Sequence, residues 1–212
     1  VGDGALGGTT TGSNNSGFGR RALFKNSTAD HNTAVGFAAL EENTTGTANV
    51  AVGSLSLDAN TSGAYNTSIG YGTLTLNTTG NDNTAVGINS LAANTTAANN
   101  TAVGSSALEG NTTGTDNVAV GHQTMDANTT GDNNVAIGKS ALGANTTADD
   151  NTAVGYAALT SNTTGIQNNA IGSSSLYSNT TGNYNTALGQ ATLYANIDGH
   201  GNTAIGDNAM QF

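Results

Sequence analysis

Ten asparagines, Asn26, Asn43, Asn60, Asn77, Asn94, Asn111, Asn128, Asn145, Asn162 and Asn179, each stand two residues before a Ser or Thr. The triplet Asn-X-Ser/Thr accepts N-linked sugar in secreted eukaryotic chains, so all ten are candidate glycosylation sites. A second explanation stays open. Stacked asparagines bond to the copies above and below them, and a chain rich in Asn and Thr produces the triplet without any sugar. Asn14 and Asn99 match it as well, which shows how readily it arises.

Other chemistry has less to stand on. The Thr-Thr pairs after these asparagines form two columns that could order water or bind ice, but adjacent residues of an extended strand face opposite ways. Asp116, Asp132, Asp149 and Asp150 could meet a cation, yet no copy has the Gly-rich, Asp-containing pattern of a calcium nonapeptide, so a solvated acidic edge is the better reading. His31, His122 and His200 are scattered, Cys is absent, and no acid pair sits outside the repeat. No catalytic, metal or cofactor site is expected, and the chain is read as a protein that is not an enzyme.

The spacing of these groups points to the element that carries them. Counted from its opening asparagine, a unit of 17 residues recurs from Asn15 to Asn202 without insertion or deletion. Position 4 is apolar, position 5 is Gly from Gly2 to Gly206, position 9 is Leu or Met, and position 12 is Asn from Asn26 to Asn196. A helix would need apolar residues three and four apart and few Gly or Asn. Each unit instead reads as one coil of a solenoid: a strand at positions 2 to 4, a Gly bend, a second strand near 7 to 9, and an Asn-Thr-Thr-Gly return.

The expected fold is therefore all-β, a parallel β-solenoid or β-roll forming one tandem-repeat domain over residues 1–212. At the usual strand spacing, roughly 12.5 coils make a stack on the order of 60 Å long.

If the aliphatic residue at position 4 points into the coil, position 3 points out. That places a small-residue column, Ala34, Ala51, Ala85, Ala102, Ala119, Ala136, Ala153, Ala170, Ala187 and Ala204, on the surface as the candidate subunit contact. The alternative is a coil so narrow that both sides are partly internal.

Composition bounds the partners. Hydrophobic residues are 35% and charged residues 8%, too little bulk for a large core and too little charge for ordinary disorder. Net charge −10, from 14 acids against four bases, argues against nucleic acid. No apolar run is long enough to span a bilayer, and the missing signal-like start and initiator Met mark a mature chain or an internal window. The lack of Cys suits an extracellular setting.

The core "NTAVG" and "NVAIG", followed three or four positions later by a small residue and Leu, resembles the head repeats of trimeric autotransporter adhesins of the YadA type. It is also similar to Asn-Thr-rich repeats of phage tail fibres. The resemblance implies a left-handed parallel β-roll that assembles as a trimer, with adhesion or receptor contact as its role. This chain departs from those head repeats in its "NTTG" extension and has no coiled-coil stalk, membrane barrel or chaperone.

The expected function is a structural repeat module of an extracellular fibre, whether secreted, on a cell surface or on a virion. It would assemble laterally as a homotrimer and contact a surface receptor or glycan. Two alternatives are an end-to-end stacked extracellular filament, N-glycosylated at the asparagines above and suggested by ends that show no cap, and a solenoid that binds ice or carbohydrate.

Overall fold

The computed structural model describes residues 2–211. It is a parallel β-solenoid with one three-residue strand per coil, and the described residues contain no helix. The chain divides into two compact units, Val1–Ser105 and Ser106–Phe212. The first holds β1 (Ser16–Phe18), β2 (Thr33–Val35), β3 (Val50–Val52), β4 (Thr67–Ile69), β5 (Thr84–Val86) and β6 (Thr101–Val103), paired in chain order. The second holds β7 (Val118–Val120), β8 (Val135–Ile137), β9 (Thr152–Val154), β10 (Asn169–Ile171), β11 (Thr186–Leu188) and β12 (Thr203–Ile205), paired the same way. Every pairing joins a residue to its equivalent 17 positions away, as Thr67 to Thr84, so like side chains stack in columns.

The direction of the strand corrects the sequence reading. Position 3 points inward and position 4 outward. Ala34, Ala51, Ala85 and Ala102 in the first unit, and Ala119, Ala136, Ala153, Ala170, Ala187 and Ala204 in the second, are buried inside their own coils. They are not a surface column. The reason is volume. The interior already holds one large side chain per coil, Leu or Met at position 9, and Leu23, Leu40, Leu57, Leu74 and Leu91 are fully buried. Opposite such a column, only a small side chain fits, Ala in most coils and Ser68 in β4.

The expected second strand at positions 7 to 9 is not formed. Positions 7 and 9 both take left-handed backbone conformations, as Ala38 (φ 56) and Leu40 (φ 52) do, so the chain turns where a strand would run straight. A left-handed non-Gly residue costs about 1–2 kcal/mol. Full burial of a Leu side chain contributes about 1.5–3 kcal/mol. The conformation also turns the position 9 N–H along the stack, where Leu40 N–H donates to Ser56 O of the next coil at 3.1 Å. Burial and the added hydrogen bond together outweigh the strain.

Position 5 carries the tightest constraint. Gly87 has φ +132, and a Cβ there would lie 2.6 Å from the carbonyl carbon of Gly104 in the next coil. Both the conformation and the approach exclude a side chain. Gly87→Val is expected to cost about 3 kcal/mol or more and to lower the melting temperature by roughly 10 °C, read by circular dichroism. A Cβ on Gly143 would meet its nearest neighbour, Ser140 O, at 3.4 Å, an ordinary contact, so Gly143→Ala should leave melting nearly unchanged.

Candidate contact surfaces and the asparagine ladder

The ten candidate glycosylation asparagines occupy position 12 and turn inward. Asn26, Asn43, Asn60, Asn77, Asn94, Asn111, Asn128, Asn145, Asn162 and Asn179 are each 0% exposed. Their amide nitrogens, the atoms that would carry sugar, are committed elsewhere. Asn60 Nδ2 donates to Asn43 Oδ1 of the preceding coil at 2.8 Å and to Gly63 O of its own coil at 2.9 Å. In the second unit, Asn145 Nδ2 donates to Asn128 Oδ1 at 2.8 Å and to Ala148 O at 3.1 Å. This corrects the glycan reading: no sugar reaches these nitrogens unless the ladder opens.

Position 1 supplies a second ladder. Asn49 N–H donates to Asn32 Oδ1 at 2.9 Å, and Asn49 Nδ2 crosses the coil to Gly63 O at 2.8 Å. Gly63 O therefore receives two amides, one from each asparagine of its coil. That clasp closes the 17-residue loop, while the Oδ1 atoms tie each coil to its neighbour. Each link is worth about 1 kcal/mol net, but a buried amide left without its partner costs about 1–3 kcal/mol.

The Thr-Thr pair does not make a two-column surface. Position 13 is half-buried, and its hydroxyl donates along the stack, Thr44 Oγ1 to Thr61 O at 2.9 Å. Position 14, as Thr45 and Thr79, is exposed.

The acidic residues also have local structural roles. Asp132 Oδ1 accepts from Thr115 N–H at 2.6 Å, and Asp149 Oδ1 accepts from Asp132 N–H at 2.8 Å. Where position 16 is Asp, Asn or His it caps the coil before it: Asn81 accepts from Ala64 N–H at 2.8 Å, and His200 Nδ1 accepts from Asn183 N–H at 2.9 Å. Sequence reasoning passed over this ladder, although the recurrence of Asp and Asn at position 16 signals it. Asp116 and Asp150 are exposed at position 17 in left-handed conformations. His31 and His122 are exposed and lie at different positions of the repeat. Among the described residues, no three His, Asp or Glu side chains come together to hold a metal.

One carboxylate is poorly placed. Burial pushes the Asp58 carboxyl up to about 6, and the charges of Glu41 and Glu42 push the same way. Its Oδ1 is buried without a hydrogen-bond partner. The neighbouring charges are otherwise paired, Arg21 with Glu41 and Lys25 with Glu42 at 2.6 Å. Asp126, at the equivalent position of the second unit, is raised chiefly by burial and then by Glu109.

The outer face of the strands is a further exposed surface, beside the exposed side chains of the turns such as Phe37, Tyr71 and Tyr156. Position 3 points in, so positions 2 and 4 point out, and neither carries a charge in any of the twelve strands. Phe18 is 54% exposed, Ile69 40% and Ile171 43%.

Two outcomes follow from this geometry. Protein made in a glycosylating secretory host and melting cooperatively should show unmodified mass at all ten position 12 asparagines. A glycan on Asn77 in such a sample would contradict the ladder. The folded state holds its extra proton on Asp58 between the ordinary carboxylate value and about 6. Stability should therefore fall as pH rises through that window and level off above it, and Asp58→Asn should flatten that part of a melting-temperature profile.

No protein-family model matches this sequence, and no curated protein and no solved structure matches it either.

Proposed function

We propose that this chain is a structural repeat module of an extracellular fibre, one that assembles laterally with copies of itself, as a trimer, and mediates contact with a surface. The observation that carries this reading is the repetition of one buried interface. Within each unit, the same asparagine clasp, leucine column and strand pairing bind each coil to the next. A stack with identical joints is stiff along its axis and presents the same groups at every step. Such a surface suits many weak, repeated contacts, whereas catalysis needs a unique constellation that the repeat would have to break. The likeness of the "NTAVG" core to adhesin head repeats and tail-fibre repeats favours the same role.

The test has two parts. Antibody against the purified chain should label fibres on the outside of intact source cells or particles in negative-stain electron microscopy. Labelling only after permeabilisation would refute the extracellular assignment. Analytical ultracentrifugation at micromolar concentration should give the mass of a trimer, and a monomer there would refute lateral assembly.

A further inference from the structure

We infer that the outer face of the strands, built from positions 2 and 4, is where one copy of this chain packs on another. The inference rests on the lateral assembly proposed above and adds the surface and the nature of its partner.

A parallel sheet is ordinarily covered on both faces. Here the inner face is covered by the coil's own leucine column, while the outer face is open. Phe18, Val35, Ile69 and Val103 in the first unit, and Ile137 and Ile171 in the second, are 36–54% exposed. Alternating with them are half-buried or exposed residues at position 2, mostly Thr or Val. In each six-strand unit, these two columns form a continuous uncharged strip, and an exposed strip of this kind marks an interaction site on a soluble protein.

The chemistry of the face narrows the partner. With no charge on it, the face offers nothing to a charged surface, and it would desolvate at little cost against another apolar one. Its geometry narrows the partner further. The side chains rise in ribs one strand spacing apart, about 4.8 Å, and repeat without interruption through each unit. A partner without that period would fit the ribs over one or two strands and then fall out of step. A second copy has the same ribs at the same spacing, so the two faces interdigitate along their whole length, as identical stacked segments do in steric zippers.

This placement replaces the buried alanine column as the contact. The aliphatic residue one step further along the strand performs the role that the sequence reading had given to alanine.

The experiment compares three proteins by sedimentation: the parent, a face variant carrying Ile69→Lys and Ile137→Lys, and an edge variant carrying Thr79→Lys and Thr147→Lys. All four substituted side chains are exposed, so each variant should keep the parent's circular dichroism. A second face variant, Ile69→Thr with Ile137→Thr, keeps β-branched residues in the strands and serves if the lysines disturb folding. The expected result is a self-associating parent, an edge variant that associates equally well, and face variants that associate about 100-fold more weakly or not at all. A parent that associates and face variants that match it would overturn the face assignment while leaving lateral assembly in place. A parent that stays monomeric would overturn both.

Discussion

The solenoid depends on a clasp of three groups within each coil. The amides of the position 1 and position 12 asparagines converge on the position 15 carbonyl, as Asn49 and Asn60 do on Gly63 O. Few other side chains could do this. The coil interior needs a donor short enough to reach across it and an acceptor on the same group to bind the next coil, and the asparagine amide supplies both. The arrangement is directional. Each Oδ1 receives an N–H from the coil that follows, so removing Asn43 takes a donor from Asn26 in the preceding coil and an acceptor from Asn60 in the next.

The clasp also fixes the width of the coil, and width decides the rest. With two asparagines and one leucine per coil inside, the remaining inward positions are restricted to Ala, Ser or Thr at position 8 and chiefly Ala at position 3. Where hydroxyls enter, they satisfy one another. Ser56 Oγ donates to Ser68 Oγ at 2.8 Å, and Ser68 Oγ donates to Thr73 Oγ1 at 2.7 Å. A core this small contributes modest burial per residue, so the regular hydrogen bonding between coils carries a larger share of cohesion than in a globular domain of this length. The left-handed residues at positions 7, 9 and 17 belong to that scheme, since each places its N–H on a carbonyl of an adjoining coil, as Ala48 N–H does on Asp30 O.

Much of this architecture was legible in the sequence. The strict period gave parallel strands in register, and the fixed glycine marked the bend. The facing of the strand was not legible, because alternation along Thr33–Val35 defines two sides without saying which is inner. Hydrophobicity favoured Val35, but the room left beside Leu40 favoured Ala34. The turn at positions 7 to 9 was hidden for a different reason: leucine rarely adopts a left-handed conformation, so nothing in Leu40 or Leu57 announces one. For the asparagines, the triplet itself was ambiguous. The residues that would invite a sugar are the ones a ladder uses, and only burial separates the two.

The pattern of constancy within the chain reflects the same physics. Inward positions 1, 3, 9, 12 and 15 hardly vary, because a change in one coil disturbs two neighbours. Outward positions 6, 11 and 17 vary widely: Phe37, Ser54 and Tyr71 follow one another at position 6. Position 4 faces outward and yet remains aliphatic or aromatic in every strand, without the interior contacts that constrain positions 3 and 9. Strand propensity explains branched side chains there, but it would equally admit Thr or Tyr, and it does not explain why charge never enters. Solvent imposes no such restriction on an exposed residue. The lateral contact proposed above would act on this outward column at every coil of a unit, which is the constraint that strand propensity alone does not supply.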